Sequence, residues 1–222
     1  MPACGGRLDA DVRPRRRGSP SPVRPPGLFA AKSEFIGEAF AGGDWSAQEI
    51  VGVEFDSCTF RHCVFAKASL SGCRFLDCAF ESCDFSLLKV RNARFRDVRF
   101  KDCKMIGINW TPIGGALDLA FEHCLLDYSI FTGLDLRRIK LIRCSARETD
   151  FSDSNLKEAV CTGTDFQAAR FSNTDLSKAD LRGADNYQID PSANRLRKAR
   201  FSLPEAISLL QGLDIVIEEP SE

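Results

Sequence analysis

The chain places an apolar residue at almost every fifth position between Glu34 and Asn186. The series begins at Phe35, is shifted once by a single extra residue after Trp110, and continues to Leu181. An α-helix repeats its apolar face about every 3.6 residues and a strand repeats it at every second residue, so neither accounts for this period. A fixed short repeat indicates a solenoid, in which each unit buries its apolar face only by stacking on its neighbours.

A small or modest side chain, most often Cys, Ala, Ser or Thr, stands two residues before most of these apolar positions. One large and one small inward position in each unit predict a chain that turns a corner after every five residues, so that four units close a square coil. Successive coils should stack at roughly 4.8 Å, the normal spacing of paired strands. One lumen column should then contain Phe60, Phe80, Phe100 and Phe121.

This repeat resembles the pentapeptide repeat family, whose loose consensus is Ala-(Asp/Asn)-Leu-x-x. A close match is the stretch 174–185, which reads TDLSKADLRGAD. The resemblance implies an all-β fold, a right-handed quadrilateral β-helix of about eight coils over residues 33–186. A loop at 111–118 should interrupt the β-helix, and a C-terminal segment with a helix, 187–222, should follow it.

Charge divides the chain into two parts. Residues 1–32 hold seven Arg or Lys and two acidic residues, a net +5, whereas residues 33–222 hold 23 bases and 29 acids, a net −6. Six of the ten prolines also lie in the first 26 residues. Such a stretch cannot bury enough apolar surface to fold alone, so we predict that 1–32 is a disordered basic extension. A tail of this kind could alternatively bind nucleic acid or a membrane surface.

The cysteines and the hydropathy bear on the compartment. Eight of the ten cysteines occupy the small inward position, where a free thiol acts as a small apolar group. Five of them fall one coil apart and predict a single buried column: Cys63, Cys83, Cys103, Cys124 and Cys144. Buried free thiols favour a reduced, cytoplasmic protein. The sequence has neither a signal-peptide core nor an apolar run long enough to span a membrane, so we expect no membrane partner.

No arrangement suited to catalysis, a cofactor or a metal ion appears in the sequence. The two histidines, His62 and His123, fall three coils apart, and there is no Gly-rich phosphate loop, C-x-x-C pair or hydrolase motif. The predicted lumen is filled with Phe and Leu and leaves no pocket. We therefore expect no enzyme activity, no cofactor and no metal site.

The repeat breaks first between Trp110 and Phe121, where the segment 111–118 contains Pro-Gly-Gly punctuation. We expect this segment to leave the coil as a short exposed loop. Loops on rigid scaffolds often carry function, although a harmless correction of register is an equal alternative. The candidate partner-binding residues in this loop are Pro112, Ile113, Gly114 and Gly115.

The second break is the C-terminal segment. Ser202 and Glu205 form a capping-box pattern, which predicts a helix that ends at Gly212, and a short strand follows over 214–218. The helix carries an apolar stripe that favours a two-fold dimer, because such an interface is self-complementary. A cap within one chain is the alternative. The predicted dimer residues are Leu203, Ile207, Leu209, Leu210 and Leu213.

Three segments extend the resemblance: 201–210 (FSLPEAISLL), 186–190 (NYQID) and 104–111 (KMIGINWT) look like the topoisomerase-protecting branch of the family. That branch includes the Qnr, MfpA and AlbG proteins, and the albicidin-resistance AlbG type looks nearest. The resemblance implies a head-to-head homodimer that binds DNA gyrase, or topoisomerase IV, as a mimic of DNA. It implies protection against a quinolone or albicidin, and no direct nucleic-acid binding by the solenoid. The basic N-terminus and the short loop depart from the branch.

Length and charge bear on mimicry of DNA. Eight coils at ~4.8 Å give a rod of ~38 Å, and a dimer of ~75 Å matches ~22 base pairs. DNA carries about 22 phosphates over ~38 Å, so the modest charge of this body would have to be arranged rather than abundant. Over 121–186, the faces built on Leu126 and Phe131 hold six acids against Arg147 and Arg170, a net −4, while the other two faces total +2. The six candidate gyrase-binding acids are Asp127, Glu148, Asp150, Asp153, Asp165 and Asp185.

Two other functions remain open from the sequence. The chain could be a generic pentapeptide-repeat scaffold with a partner other than a topoisomerase. It could also bind nucleic acid through the Arg-rich residues 1–32, in which case its affinity for DNA should fall with salt.

Overall fold

The computed structural model describes residues 33–113, 117–213 and 215. In these ranges the chain forms short parallel strands and one 3₁₀-helix, Glu205–Leu213. The predicted extension 1–32 lies outside the described residues. The strands are β1 (Glu34–Ile36), β2 (Ala39–Ala41), β3 (Glu49–Val51), β4 (Glu54–Asp56), β5 (Thr59–Arg61), β6 (Ser69–Ser71), β7 (Arg74–Leu76), β8 (Ala79–Glu81), β9 (Lys89–Arg91), β10 (Arg94–Arg96), β11 (Val98–Lys101), β12 (Leu119–Glu122) and β13 (Lys140–Ile142).

The strands and bridges form four ladders, which we call sides 1 to 4 of the solenoid. Side 1 contains the sheet β1-β4-β7-β10, side 2 the sheet β2-β5-β8-β11-β12-β13, and side 4 the sheet β3-β6-β9. Side 3 consists of single-residue bridges from Asp44 to Asp185. All pairs are parallel, and most join residues 20 positions apart, such as Phe40 and Phe60. The predicted four-sided β-helix is therefore confirmed.

Side 2 shows the extent of the solenoid. Its six strands make five steps, and bridges through Val160, Asp180 and Arg200 add three more. The predicted eight coils are thus present, but the ladder passes the predicted end of the repeat at residue 186. The reason is a shift of one residue: Asn186 is exposed with a φ of 56°, and Tyr187 beside it is buried instead.

The lumen is filled by stacked columns of large apolar side chains. In the predicted column, the ring centroids of Phe60 and Phe80 lie 4.5 Å apart, those of Phe80 and Phe100 5.0 Å, and those of Phe100 and Phe121 5.2 Å. All four rings are buried. The step from Phe100 to Phe121 spans 21 residues, so the extra residue leaves the column continuous.

The small inward positions satisfy backbone carbonyl groups of the preceding coil. The Cys83 thiol donates to the carbonyl oxygen of Phe60 at 3.5 Å, and the Cys83 N–H donates to the Cys103 sulfur at 3.5 Å. The predicted thiol column is confirmed, because all five members are buried and free. In later coils hydroxyl groups take the same place: Thr164 donates to the carbonyl oxygen of Leu141 at 2.7 Å.

The C-terminal helix lies on the last coil. Ser208 Oγ donates to the carbonyl oxygen of Tyr187 at 3.3 Å, and a Cβ at Gly212 would lie 3.0 Å from Asp190 Oδ1. Gly212 therefore permits close contact within the helix, and the prediction that it ends the helix is wrong. The predicted capping box is also absent among the described contacts, because Ser202 Oγ accepts from the Gly183 N–H at 3.1 Å instead.

Most of the predicted strand 214–218 lies outside the described residues. No helix in the described ranges is long and apolar enough to cross a membrane.

Candidate functional site

The six predicted acids form one surface on sides 3 and 4 of the later coils. Bridges join Asp165 to Asp185 on side 3 and Asp150 to Arg170 on side 4. We call this the acidic surface, and the structure brings all its members to two adjoining sides. They are Asp127, Glu148, Asp150, Asp153, Asp165 and Asp185.

Three members of side 3 form an ion cluster around Arg147. Its backbone N–H donates to Asp127 Oδ1 at 3.0 Å, and its Nε donates to Asp165 Oδ2 at 2.7 Å. Ser145 Oγ also donates to Asp127 at 2.5 Å. Burial opposes ionisation of Asp165, but hydrogen bonds from Asn186 and Arg147 outweigh it and hold its pKa below the usual value. Both carboxylates are therefore fixed in place and partly neutralised.

The acids of side 4 are held by neighbouring polar groups. Asp150 accepts from the Ser152 N–H at 2.9 Å and lies 3.8 Å from Arg170. Asp153 accepts from Asn173 Nδ2 at 2.8 Å, and its carboxylate remains exposed. This side thus combines one compensated and one accessible negative charge.

The accessible negative charge is concentrated on Glu148, Asp153 and Asp185. All three are exposed, and no described side chain donates a hydrogen bond to Glu148 or Asp185. Glu148 stands at a corner between sides 3 and 4 with a φ of 52°. A positively charged partner would therefore meet these three carboxylates first, because the other three already have protein partners or are half-buried.

Exposed apolar side chains adjoin the acidic surface, and the sequence analysis missed them. We call Leu87, Leu125, Tyr128 and Ile130 the apolar patch; Tyr128 is 57 % exposed. On side 3, Leu125 is the rung before Ser145 and Asp165, and on side 4, Ile130 is the rung before Asp150. The available signal was an apolar residue in an outward position of the repeat. Contiguous apolar surface beside polar groups is typical of protein-binding sites.

The predicted loop contributes less exposed surface than expected. The Pro112 carbonyl oxygen accepts from the Asn92 N–H at 2.9 Å, and Ile113 packs against the core. Leu117, at the far end of the segment, is buried. Ile113 was predicted to be an exposed contact, and it faces inward because the lumen continues through this coil. Gly114 and Gly115 lie outside the described residues.

The predicted dimer residues divide into two groups. Leu203, Ile207, Leu210 and Leu213 are exposed, whereas Leu209 packs against the core of its own chain. In a 3₁₀-helix, residues three apart eclipse one another, so Ile207, Leu210 and Leu213 form one straight apolar line. Leu209 belongs to the cap, and the exposed line remains a predicted interface.

Within the described ranges, no group of His, Cys, Asp and Glu has the arrangement of a metal site. Burial raises the pKa of the Cys161 thiol to about 12, which disfavours the reactive thiolate. The arrangement is suited to binding a partner through charge and apolar contact.

Solved structures of QnrB1, "a plasmid-mediated fluoroquinolone resistance protein", have a similar fold. A trypsin-treated form is 19 % identical over 88 % of this chain and 95 % of that chain, with a TM-score of 0.59. The full-length form is 18 % identical over 82 % of this chain and 97 % of that chain, with a TM-score of 0.54. No curated protein sequence matches this chain significantly.

Family comparisons agree with the geometry. The family described as pentapeptide repeat region matches residues 53–114, and the family described as pentapeptide repeats matches 120–157 and 147–183. Together these matches cover more than half of the chain and both parts of the solenoid. The chain therefore belongs to the pentapeptide repeat proteins.

Proposed function

We propose that this chain is a non-enzymatic protein that binds DNA gyrase as a mimic of DNA and protects it from a topoisomerase poison. The observation that carries the proposal is the acidic surface, which lies along two adjoining sides of a rigid rod. The grooves that bind DNA are positively charged, and complementary potentials steer and hold such partners. We further propose that the protein acts in the reducing cytoplasm, because its described cysteines are buried free thiols.

The dimensions of the rod support this proposal. Eight steps at ~4.8 Å give ~38 Å, the length of ~11 base pairs at ~3.4 Å each. A head-to-head dimer would double this length and present two acidic surfaces. Fixed carboxylates such as Asp165 add little mobility to that surface, so a partner does not have to order them on binding.

The likeness to QnrB1 supports a quinolone as the poison. That protein is a fluoroquinolone resistance protein, and its fold aligns over most of both chains. Albicidin is the second candidate drug, from the resemblance of segments 186–190 and 201–210, and topoisomerase IV is the second candidate enzyme.

A supercoiling assay with purified gyrase tests the acidic surface. The combined variant Glu148→Gln, Asp153→Asn and Asp185→Asn should inhibit or protect gyrase on the order of tenfold less well than the unmodified protein. A control variant removes three exposed acids from sides 1 and 2: Asp77→Asn, Asp97→Asn and Asp102→Asn. The assay is run with and without a quinolone and with and without albicidin.

Equal loss in both variants would reduce the effect to overall charge and remove the role of sides 3 and 4. An unmodified protein that neither binds gyrase nor changes supercoiling would end the proposal altogether.

We also propose that the exposed line of the C-terminal helix forms the dimer. Leu210→Glu should give monomers by light scattering, because burying an unpaired carboxylate costs several kcal/mol. Val51→Glu is the matched control, since Val51 is exposed on β3 at the other end of the rod. Retention of dimer mass by Leu210→Glu would exclude this interface. Inhibition of gyrase should fall together with the dimer, because the half-length rod covers only ~11 base pairs.

The apolar patch favours a second candidate, a scaffold that binds a protein other than a topoisomerase. DNA offers a protein no comparable apolar surface on its backbone, so the patch is not explained by mimicry alone. Tyr128→Ser should weaken this binding while leaving gyrase inhibition intact. Loss of gyrase inhibition in Tyr128→Ser would instead assign the patch to the gyrase contact.

A further inference from the structure

The first coil of the solenoid is the most acidic part of the chain. Residues 33–60 contain six carboxylates and no Arg or Lys. Glu34 lies on side 1, Asp44 on side 3 and Glu49 on side 4, and all three are exposed. The charges therefore surround the N-terminal end of the rod rather than one side of it. This cluster is distinct from the acidic surface, which lies on later coils.

The same end exposes the edges of three sheets. β1, β2 and β3 are each terminal strands of their sheets. In later coils the equivalent backbone N–H groups donate to the coil before, as Thr59 does to Glu38 at 2.9 Å. No described coil lies beyond β1, β2 and β3 to accept from them. Open edges of this kind invite pairing with other chains, and natural proteins cover them.

The lumen at this end is nevertheless closed to solvent. Phe35, Phe40 and Trp45 of the first coil are 0 %, 4 % and 1 % exposed. These values equal those of rings in the middle of the rod, such as Phe60 and Phe80. A terminal coil of a solenoid needs a cap to bury its lumen, and at the other end the 3₁₀-helix Glu205–Leu213 provides it.

The sequence directly before the first coil has the matching chemistry. Residues 27–31 read GLFAA and are apolar, and residues 1–32 together carry seven bases against two acids. We propose that the segment 1–32 docks on the N-terminal end of the solenoid, with its apolar part over the lumen and its arginines among the carboxylates of the first coil. Its length exceeds the 20 residues of a complete coil, so it can reach every side of that end.

The proposal gives the basic segment an occupied site within its own chain. Docking would neutralise the acidic end and cover the strand edges, which would prevent end-to-end association of rods. Exposed ion pairs are individually weak and screened by salt, so the charged part of the contact should open at high ionic strength. The apolar part should persist there.

Limited trypsin digestion of the full chain tests the charged part. The readout is the rate of cleavage among Arg13, Arg15, Arg16 and Arg17. The combined variant Glu34→Gln, Asp44→Asn and Glu49→Gln should be cleaved there on the order of tenfold faster, because three ion pairs are lost. The control variant Asp77→Asn, Asp97→Asn and Asp102→Asn should be cleaved at the rate of the unmodified protein. In roughly 1 M salt, where the Debye length is about 3 Å, all three proteins should be cleaved alike.

The apolar part has its own variant. Phe29→Ser should lower the melting temperature and speed amide exchange of Phe35 and Phe40, while amides of the later coils keep their protection. Equal cleavage rates in all proteins at low salt, or unchanged exchange in Phe29→Ser, would overturn the proposal. Protection that increases with protein concentration would also overturn it, because a second copy would then be the occupant.

Discussion

The two parts of the solenoid build the same coil from different side chains. Before the loop, aromatic columns occupy sides 1, 2 and 3, and rings such as Phe65 and Phe85 stack at 4.9 Å. After the loop, side 1 contains Leu156 and Leu176, and side 2 changes from Phe121 to Leu141. Side 4 remains aromatic through the later coils. The five-residue period therefore specifies position and burial, and it leaves the size of each lumen residue to neighbouring columns.

The small inward position shows the same contrast. In the first part, thiols donate to carbonyl groups of the preceding coil at 3.3 to 3.6 Å, as Cys73 does to Ile50. In the second part hydroxyls do so at shorter distances, as Thr174 does to Phe151 at 3.0 Å. The position requires a small group that can donate a hydrogen bond, and Cys and Thr meet that requirement with different strengths.

The corners differ for a reason that one residue decides. Where Asp or Asn directly precedes the lumen residue, its side chain accepts from the N–H two positions later, as Asp175 does from Ser177 at 2.9 Å. Such units are turns joined by a single bridge, and they predominate after the loop. Units without Asp or Asn there, such as β7 and β10, extend into three-residue strands.

The largest expected effect concerns the aromatic columns. Phe80→Ala should lower the free energy of unfolding by about 3–5 kcal/mol, because it opens a void between two stacked rings. Leu141→Ala, in the same column after the loop, should cost less, since fewer contacts are removed. Chemical unfolding of both variants measures the difference. A Phe80→Ala variant that unfolds like the unmodified protein would contradict the packed column.

An intermediate effect is expected at the small position. Thr164→Val keeps the shape but removes the donor to Leu141 and the acceptor for the Cys144 N–H. It should destabilise the protein by about 1–3 kcal/mol, because buried backbone groups lose their partners. Cys73→Ala should cost about 1 kcal/mol, since a thiol is a weak donor and leaves only a small cavity. A larger cost for Cys73→Ala would reverse the proposed ranking of thiol and hydroxyl.

The smallest effect is a pH dependence of the second part. Hydrogen bonds from Arg182 and Arg137 lower the pKa of Asp180 and Asp135 respectively. A lowered folded pKa contributes stability that is present above the unfolded value of about 3.9 and is lost as pH falls through the folded value. Amide exchange below about pH 4 should therefore increase first after the loop. Earlier loss of protection before the loop would contradict this assignment.

Much of the fold could be predicted from the sequence because one period encodes both burial and corner. The Phe60–Phe121 column and the buried thiols follow directly from spacing. The one-residue shift at Tyr187 could not be predicted, because it depends on how the helix covers the last coil. The same holds for Gly212, whose role is set by contact with Asp190. Spacing also assigns Ile113 no inward place, although it fills the lumen beside the loop.

The candidate site was less predictable than the fold. The outward positions of Glu148 and Asp185 follow from the repeat, but the sharing of Arg147 by Asp127 and Asp165 depends on side-chain reach across a coil. The apolar patch was overlooked because each member looks like an ordinary exception to the pattern. Only stacking shows that Leu125 and Ile130 lie beside the acids.

The uniform step of the ladder has a consequence for how the chain folds. Almost every long-range pair joins residues 20 or 21 apart, as Phe60 does with Phe80, so each new coil closes a loop of the same length and entropic cost. Folding can then begin in one region and spread coil by coil. We expect the aromatic coils to nucleate first, since they gain most from each added layer. The later coils would assemble on them in order, and the C-terminal helix would dock last.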